Sequence, residues 1–64
     1  MPIARISIME GHSDEKKAEL IAAVTEAIHR SMDAPYEVIR VLLDEVPRTQ
    51  WGIGGKTALA LGKT

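Results

Sequence analysis

The chain has 64 residues, no cysteine, and 8 basic against 9 acidic side chains, for a net charge of −1. This allows one small domain, 1–64, and excludes disulfides, thiolate metal sites and a cysteine nucleophile. The balanced charge and the two aromatics, Tyr36 and Trp51, argue against nucleic acid and anionic membranes as partners.

No apolar run approaches the roughly 18 residues of a membrane span. The N-terminal residues MPIARISIMEG lack the apolar core and cleavage pattern of a signal peptide, so a cytoplasmic protein is expected. A domain of about 60 residues buries only about 60% of its unfolded surface. Such chains need a staple. Two histidines are a poor metal inventory, which leaves oligomerisation.

Residues 3–9, IARISIM, alternate and predict a strand. Ala4, Ile6 and Ile8 share one face, and Ile3, Arg5, Ser7 and Met9 the other. Glu10-Gly11-His12 is a connection. Ser13 is a good helix N-cap, followed by Asp14 and Glu15 where the helix dipole favours negative charge.

Residues 14–32 predict one amphipathic helix with Leu20, Ile21, Val24, Ala27 and Ile28 as its apolar stripe. Pro35 stops it by pushing the preceding residue out of the helical region. Residues 37–46 predict a second strand, with Ile39, Val41 and Leu43 on one face and Val38, Arg40, Leu42 and Asp44 on the other. Residues 48–55, RTQWGIGG, form a glycine-punctuated loop or short hairpin. The tail from Lys56 adds a weak helical turn.

A strand, a long helix and a strand join best as a parallel βαβ unit with a right-handed crossover. The fold class is therefore α/β: a single βαβ unit with two parallel strands, a long crossover helix and a short C-terminal hairpin. One helix covers one face of two strands. The other face also carries apolar side chains and should bury against another copy.

Pro2 is the first chemical candidate. A proline opening a strand costs no ladder donor, which is the structural reading. Removal of Met1 before a small residue would instead expose a secondary amine. Burial and nearby cations lower the pKa of such an amine toward neutrality and make it a useful base. Arg40 interrupts an apolar strand and needs an anion or solvent. It either pairs with Asp44 or Glu45 at an edge or clamps a substrate carboxylate.

His12 reads as an exposed loop residue or as part of a site. His29, near the helix C-terminus, reads as a solvated helix residue. Gly55-Lys56-Thr57 mimics the end of a phosphate-binding loop, but Gln50 stands where its first glycine should be. Nucleotide binding is rejected. Trp51 is interface packing or the apolar wall of a pocket.

In this order, PIARISIMEG, the SDEKK…LI…VTEAI helix, the Asp33-Ala34-Pro35 turn, the strand with Arg40 and Trp51-Gly52-Ile53-Gly54-Gly55 resemble the 4-oxalocrotonate tautomerase family. The resemblance runs from Pro2 to about Gly55. It implies the tautomerase/MIF-like assembly of βαβ subunits as a homohexamer, a trimer of dimers. It implies ketonisation of 2-hydroxydienoates or enolised 2-keto acids without a cofactor or metal.

In that scheme Pro2 shuttles the proton. Arg40, from a neighbouring subunit, binds the carboxylate of a small-molecule substrate. Trp51 stands where the family has phenylalanine and walls the site, and Met9 and Ile53 join it and His12 in the substrate site. One departure is clear. The family's E-G-R-S pattern carries an arginine for the far carboxylate of a dicarboxylate, and here the pattern is Glu10-Gly11-His12-Ser13. Histidine is shorter and has no bidentate fork. Weaker use of dicarboxylates is expected. A hydration-type dehalogenase or decarboxylase, or a silent subunit of a mixed hexamer, is the alternative.

Overall fold

The computed structural model describes residues 1–63. β1 spans Ile3–Met9 and α1 spans Asp14–Met32, as the alternation and the apolar stripe require. Ser13 caps the helix: its Oγ accepts from the Lys16 amide at 3.1 Å. The helix ends at Asp33, which takes the left-handed conformation with φ 53°. Aspartate tolerates that region better than most residues.

β2 spans Arg40–Val46. The predicted strand 37–46 starts too early, because Tyr36–Val38 form a 3₁₀ turn. Pro35 sets φ at −63°, and the Val38 and Ile39 amides donate back to the Pro35 and Tyr36 carbonyls at 3.2 and 3.1 Å. Those amides are then unavailable to a sheet. A second 3₁₀ turn covers Arg48–Gln50. A hairpin follows, with β3 at Gly52–Ile53 and β4 at Lys56–Thr57. The tail beyond it turns back, with Leu61 donating to the Thr57 carbonyl at 3.1 Å and Lys63 to the Ala58 carbonyl at 2.9 Å. Thr64 lies outside the described residues.

β1 and β2 pair in parallel, with Ile3 beside Arg40, Ile6 beside Leu43 and Met9 beside Val46. Ala4, Ile6, Ile8, Val41 and Leu43 are half-buried, whereas Ile3, Arg5, Ser7, Arg40, Leu42 and Asp44 are exposed. The period-2 exposure marks the face that α1 covers. Leu20, Val24 and Ile28 are the half-buried part of the predicted helical stripe, and Ile21 and Ala27 are exposed. Lys17 lies on the covered side and reaches across to β2, where its Nζ meets Glu45 Oε1 at 2.8 Å.

His29 differs from its sequence reading as a solvated residue. It is half-buried and stacks on Tyr36, with ring centres 3.9 Å apart and an interplanar angle of 17°. Its Nδ1 lies 2.7 Å from the Ala34 carbonyl oxygen. Tyr36 Oη donates to Glu26 Oε2 at 2.6 Å. The chain reversal at Asp33 brings the 3₁₀ turn against the last turns of α1. Helical periodicity alone does not show that contact.

Only Ile39 and Ala58 are buried among the described residues. The chain exposes 4736 Å², against roughly 4,000 Å² for a folded monomer of its mass. Its radius of gyration is 14.6 Å, against about 11 Å for a compact chain of this length. On the bare sheet face Ile3 is 57% and Leu42 41% exposed.

Glu45, then Asp14, hold Lys17 above its ordinary pKa of 10.5. A raised ammonium pKa stabilises the fold fully below the unfolded value, and that stabilisation is lost as pH climbs through the folded value. Tyr36 behaves the same way, its phenol raised above 10.0 chiefly by donation to Glu26. The contribution of these two contacts, modest because neither group is buried, should therefore be lost above about pH 10. Lys17→Met should shallow that alkaline decline in a melting-temperature series. An unaltered decline would show that the pair contributes nothing.

Candidate active site

Parallel pairing puts the starts of both strands at one end of the sheet. Pro2 is half-buried there, and its carbonyl accepts from the Arg40 amide at 3.0 Å. The first two chemical candidates from the sequence are thus backbone neighbours. The Arg40 guanidinium is exposed, and its Nη1 donates to the Glu37 carbonyl at 2.7 Å. It pairs with neither Asp44 nor Glu45; Glu45 is bound to Lys17 instead. The edge-pairing reading of Arg40 is therefore wrong. Asp44 lies four residues further along β2, and Glu45 sits on the helix-covered face.

Met1 precedes Pro2 and is 77% exposed. While it is attached, the Pro2 nitrogen is an amide with no basic lone pair. Its removal leaves a secondary amine at the sheet end where Arg40 stands.

The remaining candidates gather at the other end. Met9 closes β1 and pairs with Val46. Gly11, with φ 113°, turns the chain toward His12, which is exposed. Seven-residue strands separate this end from Pro2 by about 20 Å, at roughly 3.3 Å per residue. One chain therefore does not bring Pro2 and His12 together.

An open concavity of about 320 Å³ lies at this end, lined by Glu10, Gly11, His12 and Arg48. Glu10 ties two loops together: its Oε2 accepts from the Arg48 amide at 3.0 Å. The same oxygen is 3.8 Å from Arg48 Nε. That Nε is buried and has no hydrogen-bond partner among the described residues. Sequence reading passed over Arg48 because it reaches His12 only through folding, 36 positions along the chain. Its one signal was a cation in the loop that leads to Trp51.

Trp51 is half-buried between the second 3₁₀ turn and β3, and its carbonyl accepts from the Ala58 amide at 2.7 Å. Ile53 is 43% exposed on β3. Gly54 and Gly55, with φ 61° and 89°, form the turn that presents it. Two consecutive positive φ values suit a two-residue hairpin and exclude most side chains. No cluster of three or more histidine, aspartate or glutamate side chains stands ready for a metal among the described residues.

This architecture is that of an enzyme family. The family model described as tautomerase enzyme matches residues 2–59. The 2-hydroxymuconate tautomerase of Stutzerimonas stutzeri is 54% identical over 63 residues, covering 98% of this chain and all of that one. A 4-oxalocrotonate tautomerase isozyme structure from Methylibium petroleiphilum superposes with a TM-score of 0.93 at 44% identity, covering 97% of this chain and all of that one. A heterohexameric 4-oxalocrotonate tautomerase from Chloroflexus aurantiacus J-10-fl gives 0.90 at 39% identity, covering 95% and 98%. The chain belongs to the tautomerase family. It is an isomerase with the βαβ subunit and C-terminal hairpin of these structures. No helix among the described residues is long and apolar enough to cross a membrane.

The hairpin turn gives a direct test. Gly54→Ala should cost about 1–2 kcal/mol, the penalty for a side chain in the left-handed region. A Cβ there meets nothing within 4 Å, so the cost is purely backbone. Gly52→Ala, where φ is not positive, should cost much less. Equal shifts in denaturation midpoint would contradict this account of the turn.

Proposed function

We propose that the protein is a cofactor-free tautomerase that ketonises 2-hydroxydienoates or enolised 2-keto acids. The Pro2 amine, freed by loss of Met1, is the general acid/base. It takes the proton from the 2-hydroxyl and returns it to a distal carbon. Arg40 binds the carboxylate and carbonyl end, where its planar fork matches two oxygens. The observation that supports the reading is the strand register, which sets Arg40 at the Pro2 end of the sheet, so that an adjoining subunit docked at that end can present its Arg40 to this Pro2.

The active form is an assembly, and we propose a homohexamer. Two observations support assembly. The bare sheet face exposes Ile3 and Leu42, and the Pro2 end of one chain lies far from its own His12 end. A neighbour can supply what each end lacks. His12, Trp51, Met9 and Ile53 then line the substrate site from an adjoining subunit. The apolar wall disfavours the charged amine and lowers its pKa.

The heterohexameric relative favours one second reading, a subunit of a mixed assembly. Mass spectrometry, with and without a partner chain, separates the two.

Removing the base should cost about two to four decades in kcat. Pro2→Ala should show this loss on phenylenolpyruvate and on 2-hydroxymuconate, with assembly size unchanged. Arg40→Ala should lower kcat/KM roughly 10- to 100-fold, the worth of a lost charge-assisted contact. Ketonisation followed in the ultraviolet reads both. Full activity in Pro2→Ala would eliminate the proposed base.

A further inference from the structure

The cavity at the His12 end carries two cationic or potentially cationic residues, and the reaction above assigns a role to only one. We infer that Arg48 supplies a carboxylate-binding subsite in the Glu10–Gly11–His12–Arg48 cavity, and that this subsite receives the far carboxylate of a dicarboxylate substrate. The inference rests on the tautomerase reading and adds a specificity-determining residue to it.

Three observations converge on Arg48. First, it lines a concavity of about 320 Å³, large enough for a small organic acid. Second, its Nε is buried without a hydrogen-bond partner among the described residues. Nε itself is closed to solvent, but the side chain is 41% exposed, so the outer guanidinium nitrogens remain open to a ligand that accepts from them. Third, its neighbour Glu10 is already engaged. The Glu10 carboxylate accepts from the Arg48 backbone amide at 3.0 Å and stands 3.8 Å from Nε, too far for a hydrogen bond.

Glu10 thus pins the turn without satisfying the guanidinium donor. An incoming carboxylate can accept from the guanidinium in the planar geometry that arginine offers. Glu10 also offsets much of the Arg48 charge, so the subsite selects by hydrogen-bond geometry as well as by charge. His12 on the opposite loop contributes a ring N–H, which a carboxylate can also accept. An arginine at position 48 can in this way offset the absence of one at position 12.

The experiment compares wild type, Arg48→Gln, Arg48→Lys and the double variant His12→Arg with Arg48→Gln. Each is assayed with 2-hydroxymuconate, a dicarboxylate, and phenylenolpyruvate, a mono-acid. Arg48→Gln should lose roughly 10- to 100-fold in kcat/KM on the dicarboxylate, mainly through KM, and far less on the mono-acid. Arg48→Lys should fall between, since it keeps the charge and loses the fork. The double variant should regain dicarboxylate use.

Equal losses on both substrates would make Arg48 a structural residue and overturn the inference. So would an unchanged dicarboxylate KM. If wild type turns over neither substrate, the tautomerase reading fails on its own. Calorimetric binding of cis,cis-muconate, a non-reacting dicarboxylate, then decides the subsite. Binding by wild type that Arg48→Gln weakens tenfold or more upholds it, and equal binding or none overturns it.

Discussion

Two parallel strands need a connection that carries the chain from the end of one back to the start of the other. Here that connection is α1, whose 19 residues span about 28 Å at 1.5 Å per residue. This exceeds the strand length of about 20 Å, so the helix overshoots the sheet. The surplus is taken up at the return. Asp33 reverses the chain in the left-handed region, and Tyr36–Val38 coil into a 3₁₀ turn before β2 begins. The position of Arg40 follows from that return. The turn delivers Arg40 beside Ile3 and leaves the Glu37 carbonyl within reach of its guanidinium.

The same crossover explains why the chain looks unfinished. One helix shields one face of the sheet. The Lys17–Glu45 contact lies on that shielded side, where a cation and a carboxylate meet between helix and strand. Among the described residues nothing covers the other face. Its residues alternate between apolar Ile3 and Leu42 and polar Ser7 and Asp44. That mixture suits a surface which meets another protein better than one facing lipid or a sealed core.

Much of this was legible in the sequence. The bounds of β1 and α1 were readable because both carry clean periodicities with strong stops: Gly11 and Ser13 on one side, Asp33 and Pro35 on the other. The start of β2 was not, because Val38 and Ile39 are β-branched and run on into the strand pattern while Pro35 commits the backbone to a turn. The pairing of His29 with Tyr36 and the union of Glu10 with Arg48 were also hidden. Each depends on where a chain reversal lands, and no local pattern records that. Pro2 and Arg40 were singled out by chemistry alone: a possible free amine, and a charge inside an apolar run. Arg48 lacked such contrast. It sits in a polar loop, where a cation attracts no notice.

The scarcity of buried side chains in one copy bears on how the protein is supplied. With only Ile39 and Ala58 buried among the described residues, a single chain draws little stability from its own interior. A partner that covered the open sheet would add stability by an amount that grows with that partner's concentration. The folded amount should then rise more steeply than the number of chains made. A cell producing a trace of this chain would hold chiefly unprotected polypeptide. One producing it in quantity would convert most of it into durable protein. A βαβ unit completed by a partner in this way would carry a threshold on expression.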